Sequence, residues 1–299
     1  MTRAAQFSSL SGEIAGLVEH AGVRIVGING GNPWGASGIH WRPGVIVTAE
    51  EALGRDDDLS VTLPGGRSVR ASLAGRDPST DVAVLRFEAD GLAVAEPGDA
   101  SELRAGNLVL AVGSHQGAPV ASLGVVAYAG GAWESRRGGH IDGFIRLDLD
   151  LSPSAEGGVV VDAEGRIVGM AVFGPRRRVL AIPARTIDRV IDPLLAKGRI
   201  PRSYLGAGLH RVSLPATAGE QGKRRGLLVV SVDPQGPASA AGLRVGDIVL
   251  AWNGTELTRV RELMRALGPE SVGTTVELGL MRGDARASLR VTLGERPAA

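Results

Sequence analysis

Short runs of apolar and β-branched residues, separated by glycine, proline or aspartate, occupy the longer, first part of the chain. They span residues 23–28, 45–48, 59–63, 82–87, 108–112 and 159–161. Runs of this length with turn residues on both sides are typical of β-strands. Glycines in segments 64–67 and 162–166 supply the positive φ that tight hairpin turns need. Many short strands at near-regular spacing predict an all-β barrel or sandwich.

One helix is predicted before this β region and one after it, from the spacing of their apolar residues. Leu10, Ile14 and Leu17 recur at three- and four-residue intervals and predict a short amphipathic helix over residues 9–20. A second helix, predicted over residues 187–196, closes the region and is ended by Gly198.

The pattern changes beyond this closing helix. Strands are predicted over residues 226–232, 246–254 with its Asn-Gly turn, 275–281 and 286–293. Helices are predicted over residues 237–243 and 260–267, the second behind the candidate cap Thr258. Strands mixed with short helices predict a separate α+β domain. The predicted organisation is an N-terminal helical segment (1–20), a β domain (21–197), a linker (198–203) and a second domain (204–299).

Chain length, net charge and cysteine content limit the kinds of function that this chain can have. A chain of 299 residues favours two domains, and a net charge of +1 argues against nucleic acid or an anionic membrane as the partner. The absence of cysteine removes disulfides, thiol nucleophiles and thiolate metal sites. No window approaches the ~20 apolar residues of a membrane-spanning helix. In residues 1–27 the apolar run is interrupted by Glu19, His20 and Arg24, so we expect no signal peptide and a cytoplasmic location.

The second domain carries a specific signature. Residues 236–254 read Gly-Pro-Ala-x-x-Ala-Gly-Leu-x-x-Gly-Asp-x-x-Leu-x-x-Asn-Gly, behind Tyr-Leu-Gly-Ala at 204–207. This half resembles a PDZ domain of the bacterial arrangement. The resemblance implies that backbone N–H groups of the 204–207 turn receive a C-terminal carboxylate and that a peptide adds as a strand beside the following edge. The peptide-binding residues it implies are Tyr204, Leu205, Gly206, Ala207, Gly208, Leu209, His210, Leu263 and Leu267.

Two alternatives stay open for this half. The helix leucines are equally compatible with a purely structural role in the core. The domain as a whole is also compatible with a contact between domains or subunits instead of peptide binding.

Three segments of the first domain carry a second resemblance. They are Ser-Gly-Ile at 37–39 with Gly-Val-Ile-Val-Thr at 44–48, Arg-Asp-Pro-Ser-Thr-Asp-Val-Ala-Val-Leu at 76–85, and Ser-Pro-Ser-Ala-Glu-Gly-Gly-Val-Val-Val at 152–161. Over about residues 20–197 the chain resembles the HtrA branch of the chymotrypsin-fold serine proteases. The fold this implies is mainly β, a two-β-barrel chymotrypsin-like domain followed by an α+β PDZ domain.

The triad that the resemblance implies is degenerate. The histidine position falls on Glu51, the aspartate on Asp81 and the nucleophile on Glu156, while the glycine that contributes an oxyanion N–H is Ser154. Acyl transfer needs a hydroxyl, a base near neutrality and oxyanion donors. Loss of the serine or histidine of a related triad costs on the order of 10⁶ in rate.

We therefore expect a catalytically inactive pseudoprotease that binds peptides or protein C-termini, as an adaptor or regulator in protein quality control, without cofactor or metal. The alternative is an active endopeptidase with unusual residues, in which Ser152 or Ser154 attacks and Glu51 or Glu156 is the base. An exposed glutamate of pKa ~4.3 is a poor base for this step. None of the five histidines offers a replacement, and each is expected at the surface or in a turn: His20, His40, His115, His140 and His210.

Three further expectations follow from the resemblance. Glu51, Asp81 and Glu156 should converge, so that one has a raised pKa or an arginine or water partner, with a divalent cation as the lesser alternative. Paired carboxylates also occur in glycoside hydrolases, but nothing else supports a sugar site. The short basic loop Gly-Pro-Arg-Arg-Arg at 174–178 suggests a reduced substrate pocket. Assembly is expected as a homo-oligomer, a trimer by resemblance, or as a hetero-oligomer with an active relative.

Overall fold

The computed structural model describes residues 2–89, 91–214 and 224–297, with only the backbone described at Arg224. The chain divides into two compact units, Met1–Ile200 and Pro201–Ala299. The first unit contains two closed six-stranded barrels, and the second is an antiparallel sheet with short helices. The predicted mainly β fold, with a two-barrel domain followed by an α+β domain, is therefore confirmed.

The first barrel closes in the order β1-β2-β3-β6-β5-β4, with every neighbouring pair antiparallel. Its interior is filled by fully buried side chains such as Ile28, Ile46 and Leu85. Its strands are β1 (Ile25–Asn29), β2 (Ala36–Arg42), β3 (Val45–Thr48), β4 (Leu59–Thr62), β5 (Ser68–Asp77) and β6 (Val82–Phe87).

The second barrel closes in the order β11-β14-β13-β12-β7-β8, and β9 and β10 form a separate hairpin beside it. Its strands are β7 (Leu108–His115), β8 (Ala118–Gly130), β9 (Trp133–Glu134), β10 (His140–Ile141), β11 (Phe144–Asp148), β12 (Val159–Asp162), β13 (Ile167–Phe173) and β14 (Val179–Pro183). In this second barrel, the runs of β-branched residues predict only β7 and β12. Alanine, glycine and serine interrupt the apolar pattern of β8, so that strand has no clear sequence signal.

Two helices accompany the barrels. Helix α1 (Arg3–Gly22) begins earlier than predicted, because the Thr2 hydroxyl accepts the Ala5 N–H at 3.4 Å and caps it. Helix α2 (Ala184–Lys197) also begins earlier, directly after β14, and ends at Gly198 with a left-handed φ of 70°. Its apolar stripe is fully buried against the first core.

The second unit has one main sheet in the order β16-β17-β18-β20-β21, with β19 paired to β18 and β15 paired to β22. Among the strands of the described residues, β16 therefore lies at one edge of this sheet. The elements are β15 (Ser203–Tyr204), β16 (Ala207–Leu214), β17 (Arg224–Val232), α3 (Pro237–Ala240), β18 (Ile248–Trp252), β19 (Thr255–Glu256), α4 (Val260–Ala266), β20 (Thr275–Arg282), β21 (Ala285–Thr292) and β22 (Gly294–Glu295).

The start of α4 differs from the prediction. Arg259, and not Thr258, is the N-cap residue. The Glu262 carboxylate reaches back and accepts the N–H groups of Thr258 at 2.8 Å and Arg259 at 3.0 Å. An acidic side chain from the first helical turn thus satisfies two N–H donors at the start of the helix. Within the described ranges, no helix has both the length and the apolar character needed to cross a bilayer.

Candidate functional site

The positions of the degenerate triad lie on three loops between barrel strands. Glu51 follows β3, Asp81 precedes β6, and Glu156 precedes β12. The Glu51 N–H donates to Asp81 Oδ1 at 2.9 Å, and the Glu50 N–H donates to the Asp81 carbonyl at 3.3 Å. Asp81 itself has a left-handed φ of 58°, a conformation that aspartate tolerates better than most residues. The structure thus holds the Glu51 backbone against the Asp81 carboxyl.

Asp81 is poorly solvated at this position. Burial raises its pKa to about 8, the nearby carboxylates of Glu51, Glu156 and Glu50 act in the same direction, and the Glu51 N–H acts against them. At neutral pH the side chain is therefore mostly the uncharged acid. An active triad uses an aspartate that stays ionised beside a histidine, whereas here the neighbour of Asp81 is Glu51.

Glu156 is held at the end of β13. Its carboxylate accepts the Phe173 N–H at 3.1 Å. Burial raises the pKa of Glu156, with the Glu51 carboxylate acting in the same direction and the Phe173 N–H and the Arg177 guanidinium acting against it. The Arg177 guanidinium lies over the Phe173 ring, 4.4 Å from its centroid. The carboxylate and the basic loop therefore both occupy the space at the end of this strand.

Three residues that sequence reasoning did not select lie beside Glu51 and Asp81: Glu50, Arg76 and Arg137. Arg137 lies 3.4 Å from Glu51 Oε1 and 3.7 Å from Glu50 Oε2, and Arg76 lies 3.5 Å from Glu50 Oε1. Burial raises the pKa of Glu50, while Arg76 and Arg137 lower it. The doubled acid at 50–51 was the only sequence signal for Glu50. The sequence gives no sign of the pairing with Arg137, because Arg137 is distant from Glu50 and Glu51 along the chain.

The loop before β12 is fastened to the first barrel. The Ser37 N–H donates to the Glu156 carbonyl at 2.8 Å, and the Ser37 hydroxyl donates to the Ser154 carbonyl at 2.6 Å. Gly157 has a φ of 82°, and a Cβ there would collide with the Ser37 carbonyl and the Thr48 hydroxyl. Only glycine fits at this close approach. The Gly-Gly pair noted in the sequence therefore serves backbone packing.

The hydrogen-bonding groups of the loop before β12 bond mainly within the loop itself. The Glu156 N–H, which falls at an oxyanion-donor position, donates to the Pro153 carbonyl at 3.3 Å within a short 3₁₀ turn. The Ser152 and Ser154 hydroxyls lie 3.0 Å from each other. Among the described residues, neither hydroxyl bonds to a carboxylate or an imidazole. In the described part of the chain, neither serine hydroxyl is therefore paired with a base.

The histidines contribute nothing to this cluster. His40 is 4% exposed, with Nδ1 at 3.0 Å from the Ala93 carbonyl and its ring edge-on to Phe87, so the prediction of a surface or turn position is wrong for it. It fills a position in the first barrel where an aromatic side chain packs well. His140 is exposed and lies 3.1 Å from Glu134. Within the described part of the chain, no three acidic or histidine side chains are grouped to hold a metal ion.

The second candidate site is the turn before β16. Gly206 has a φ of 76°, and its carbonyl accepts the Asp233 N–H at 2.8 Å, while the Leu205 carbonyl accepts the Ala238 N–H at 2.8 Å. In the described part of the chain, the N–H groups of Leu205 and Gly206 donate to no backbone carbonyl. The carbonyls are thus engaged while neighbouring donors stay available for a ligand. The Tyr204 hydroxyl instead donates to Asp233 at 3.0 Å.

Helix α4 forms the other side of this site, and it packs against β16. Leu263 is 3% exposed and belongs to the core, and Leu267 packs partly buried against the same core. This matches the structural alternative for both leucines. Val260 and Met264 are exposed, and they lie one helical turn apart on the same side. These two exposed apolar side chains are further candidates for contact with a ligand, and sequence reasoning did not select them.

Known protein families match the two units of the chain separately. A family model described as a trypsin-like peptidase domain matches residues 36–170, and a PDZ-domain model matches residues 203–293. Two similar curated proteins are both named "Probable periplasmic serine endoprotease DegP-like". The one from Bartonella henselae is 31% identical over 263 residues, 85% of this chain and 52% of the relative. The one from Halomonas elongata is 32% identical over 262 residues, 85% of this chain and 55% of the relative.

The chain thus spans about half the length of the curated relatives it matches. Their names place them in the periplasm, so the cytoplasmic location expected above is wrong. Composition cannot separate the two compartments, because a packed, cysteine-free protein is stable in either.

Solved structures match over almost the whole chain. The serine endoprotease from Yersinia pestis has a TM-score of 0.75 and 26% identity, covering 94% of this chain and 97% of that one. The HtrA-type protease AlgW with a decapeptide has a TM-score of 0.75 and 23% identity, covering 95% and 99%. The second likeness is one of fold.

Proposed function

This chain is HtrA-like, a trypsin-like peptidase domain followed by a PDZ domain, and from that premise we propose that its peptidase domain is catalytically inactive. In this proposal the protein acts by binding peptides or protein C-termini through the PDZ domain. Its role is that of an adaptor, a substrate-capturing protein or a regulator of an active relative.

The observation that carries the inactivity is the hydrogen bond from the Phe173 N–H to the Glu156 carboxylate, 3.1 Å long. The position that would present a nucleophile presents an acid that is already engaged. A negative charge there repels the oxyanion that acyl transfer must stabilise. At the base position, Glu51 is exposed and lies 3.4 Å from Arg137, so its carboxylate is in contact with a guanidinium and not with a serine hydroxyl.

The peptide-binding half of the proposal has separate support. Strand β16 is an edge strand, and an extended peptide can add beside it with main-chain hydrogen bonds. The N–H groups of Leu205 and Gly206 suit a terminal carboxylate. Val260 and Met264 suit apolar ligand side chains, since both are exposed on one side of α4. We therefore expect ligands with a free carboxylate and an apolar C-terminal residue.

The relatives' names support a periplasmic location. Assembly as a homotrimer, or with an active relative, stays a proposal. So does any activity of the longer relatives, because the chain spans about half of their length.

The second candidate function is an active serine endopeptidase. The relatives' names favour it, because both curated relatives described above are named as serine endoproteases. In this chain the attacking hydroxyl would be that of Ser152 or Ser154. These are 3.0 Å apart and would need Glu51 or Glu156 to move within reach.

Casein hydrolysis and fluorophosphonate labelling of the full chain separate the two functions. We expect neither to exceed the level of a Ser152→Ala, Ser154→Ala double variant. Labelling or hydrolysis that this double variant abolishes would establish the endopeptidase and refute the proposal.

Peptide binding is tested with apolar-ended peptides and the same peptides amidated at the C-terminus. We expect binding only of the free carboxylates, and its loss in Gly206→Val, because a Cβ at Gly206 would lie 3.0 Å from the Gly236 Cα. Gly283→Val is the matched control, since Gly283 also has a positive φ but lies in open space at a turn. Equal binding of acid and amide would refute the carboxylate turn.

A further inference from the structure

The side chains of β16 alternate between the two faces of the sheet. Leu209, Arg211 and Ser213 lie opposite Val229, Leu227 and Arg225 of β17. Directly paired residues of antiparallel strands share a face, and Val229 and Leu227 are buried in the core. Arg211 therefore belongs to the core-facing side of the sheet, the side on which α4 packs, although it is itself exposed.

A peptide that added to this strand as proposed above would have one direction and one register. Its carboxylate lies at the turn before Ala207, so the rest of the peptide runs toward Leu214 and is antiparallel to β16. Side chains of an extended peptide alternate, so the last residue, the second before it and the fourth before it face α4. The last lies near Ala207, the second before it near Leu209, and the fourth before it near Arg211.

Arg211 has no acidic partner in the described part of the chain. No described carboxylate lies within ion-pair distance of it. The one acid of α4, Glu262, is turned to the start of its own helix, where it accepts the N–H groups of Thr258 and Arg259. The Arg211 guanidinium thus lies on the part of β16 farthest from the carboxylate turn, whereas Ala207 and Leu209, nearer to that turn, are apolar.

We propose that Arg211 selects peptides with an acidic residue four positions before the C-terminus. This deepens the proposed peptide binding and rests on it. The preferred ligand has a free carboxylate, apolar side chains at the last position and two before it, and aspartate or glutamate at the fourth before it. Arginine can bind such a carboxylate with two parallel hydrogen bonds.

Fluorescence anisotropy on the full chain tests the proposal. The probes are short labelled peptides that end in an apolar residue, have a second apolar residue two positions earlier, and vary only at the fourth position before the end. We expect Asp there to bind about threefold tighter than Ala and about tenfold tighter than Lys, as for an exposed ion pair and its repulsive counterpart. The preference should shrink above physiological salt.

Charge reversal supplies the decisive variant. Arg211→Glu should make Lys the preferred residue, and Arg211→Gln should remove the preference without reversing it. Arg290→Glu is the matched control, because Arg290 is exposed on β21, the opposite edge strand, and should leave the preference unchanged. Peptide binding with the same preference in Arg211→Glu as in the unaltered chain would overturn the proposal while the proposed function stands. Absence of binding for every free-carboxylate peptide would overturn both.

Discussion

The Asp81 carboxyl should make the first unit less stable as the pH rises. Its pKa is raised from 3.8 to about 8 in the folded chain. Below pH 4 both states carry the proton, and the group has no effect on folding. Between pH 4 and pH 8 the unfolded chain releases the proton while the folded chain retains it, so the free energy of unfolding falls with pH. Above pH 8 the loss is complete.

The size of this effect follows from the shift. At about 1.4 kcal/mol per pKa unit, the penalty at pH 7 reaches roughly 4 kcal/mol, a ceiling that structural relaxation around the charge reduces. Asp81→Asn removes the titration but keeps an oxygen that can accept the Glu51 N–H. We expect this variant to be about 2 to 4 kcal/mol more stable than the unaltered chain at pH 7, and equally stable at pH 4.

Urea unfolding of the full chain at several pH values measures this difference. Asp57→Asn is the matched control, since Asp57 is exposed on the loop between β3 and β4, and it should retain the pH dependence of the unaltered chain. Parallel pH profiles for Asp81→Asn and the unaltered chain would refute the assignment of the proton to Asp81. The raised pKa values of Glu50 and Glu156 give a residual slope of the same sign.

Three further outcomes are expected. Restoring the family's residues with Glu51→His and Glu156→Ser should leave peptidase activity about 10² to 10³ below that of an active relative, because one oxyanion donor stays engaged; full activity in a casein assay would contradict this. Gly157→Ala should lower the free energy of unfolding by about 3 kcal/mol or more, because the new Cβ strains the backbone and collides with its neighbours. Gly65→Ala is the control, at a similar φ in open space, and should lower it by about 1 kcal/mol. Equal losses for the two variants in urea unfolding would contradict the close approach at Gly157. Leu263→Ala should destabilise the second unit by about 2 to 5 kcal/mol, and a change below 0.5 kcal/mol in thermal unfolding would argue against its core position.

The fold could be predicted where local pattern and tertiary environment agree. The β-branched runs at β3, β6 and β12 stand in strands because each is buried in a barrel interior. Strand β8 could not be found this way, since it is rich in small residues and is held by its pairing with β7 and β11. The triad positions followed from the resemblance, and their chemistry from residue type.

The details of the site depend on contacts that spacing cannot supply. The orientation of Glu156 is set by one N–H at the end of another strand, and the Arg137 partner comes from a distant loop. His40 resembled a surface histidine because a single polar residue in an apolar strand gives no sign of which face is enclosed. On α4, the helical period of 3.6 residues does not say which of the neighbouring apolar residues is buried. Only the packed structure shows that Leu263 lies in the core and Met264 is exposed.

The open edge of β16 also bears on solubility. An unpaired strand edge is a template on which identical chains can join and precipitate, and folded proteins commonly guard such edges with charge. If two copies met antiparallel at this edge, their Arg211 guanidiniums would approach one another and resist the union. The same positive charge that we expect to attract an acidic ligand would thus oppose self-association of the protein through this edge.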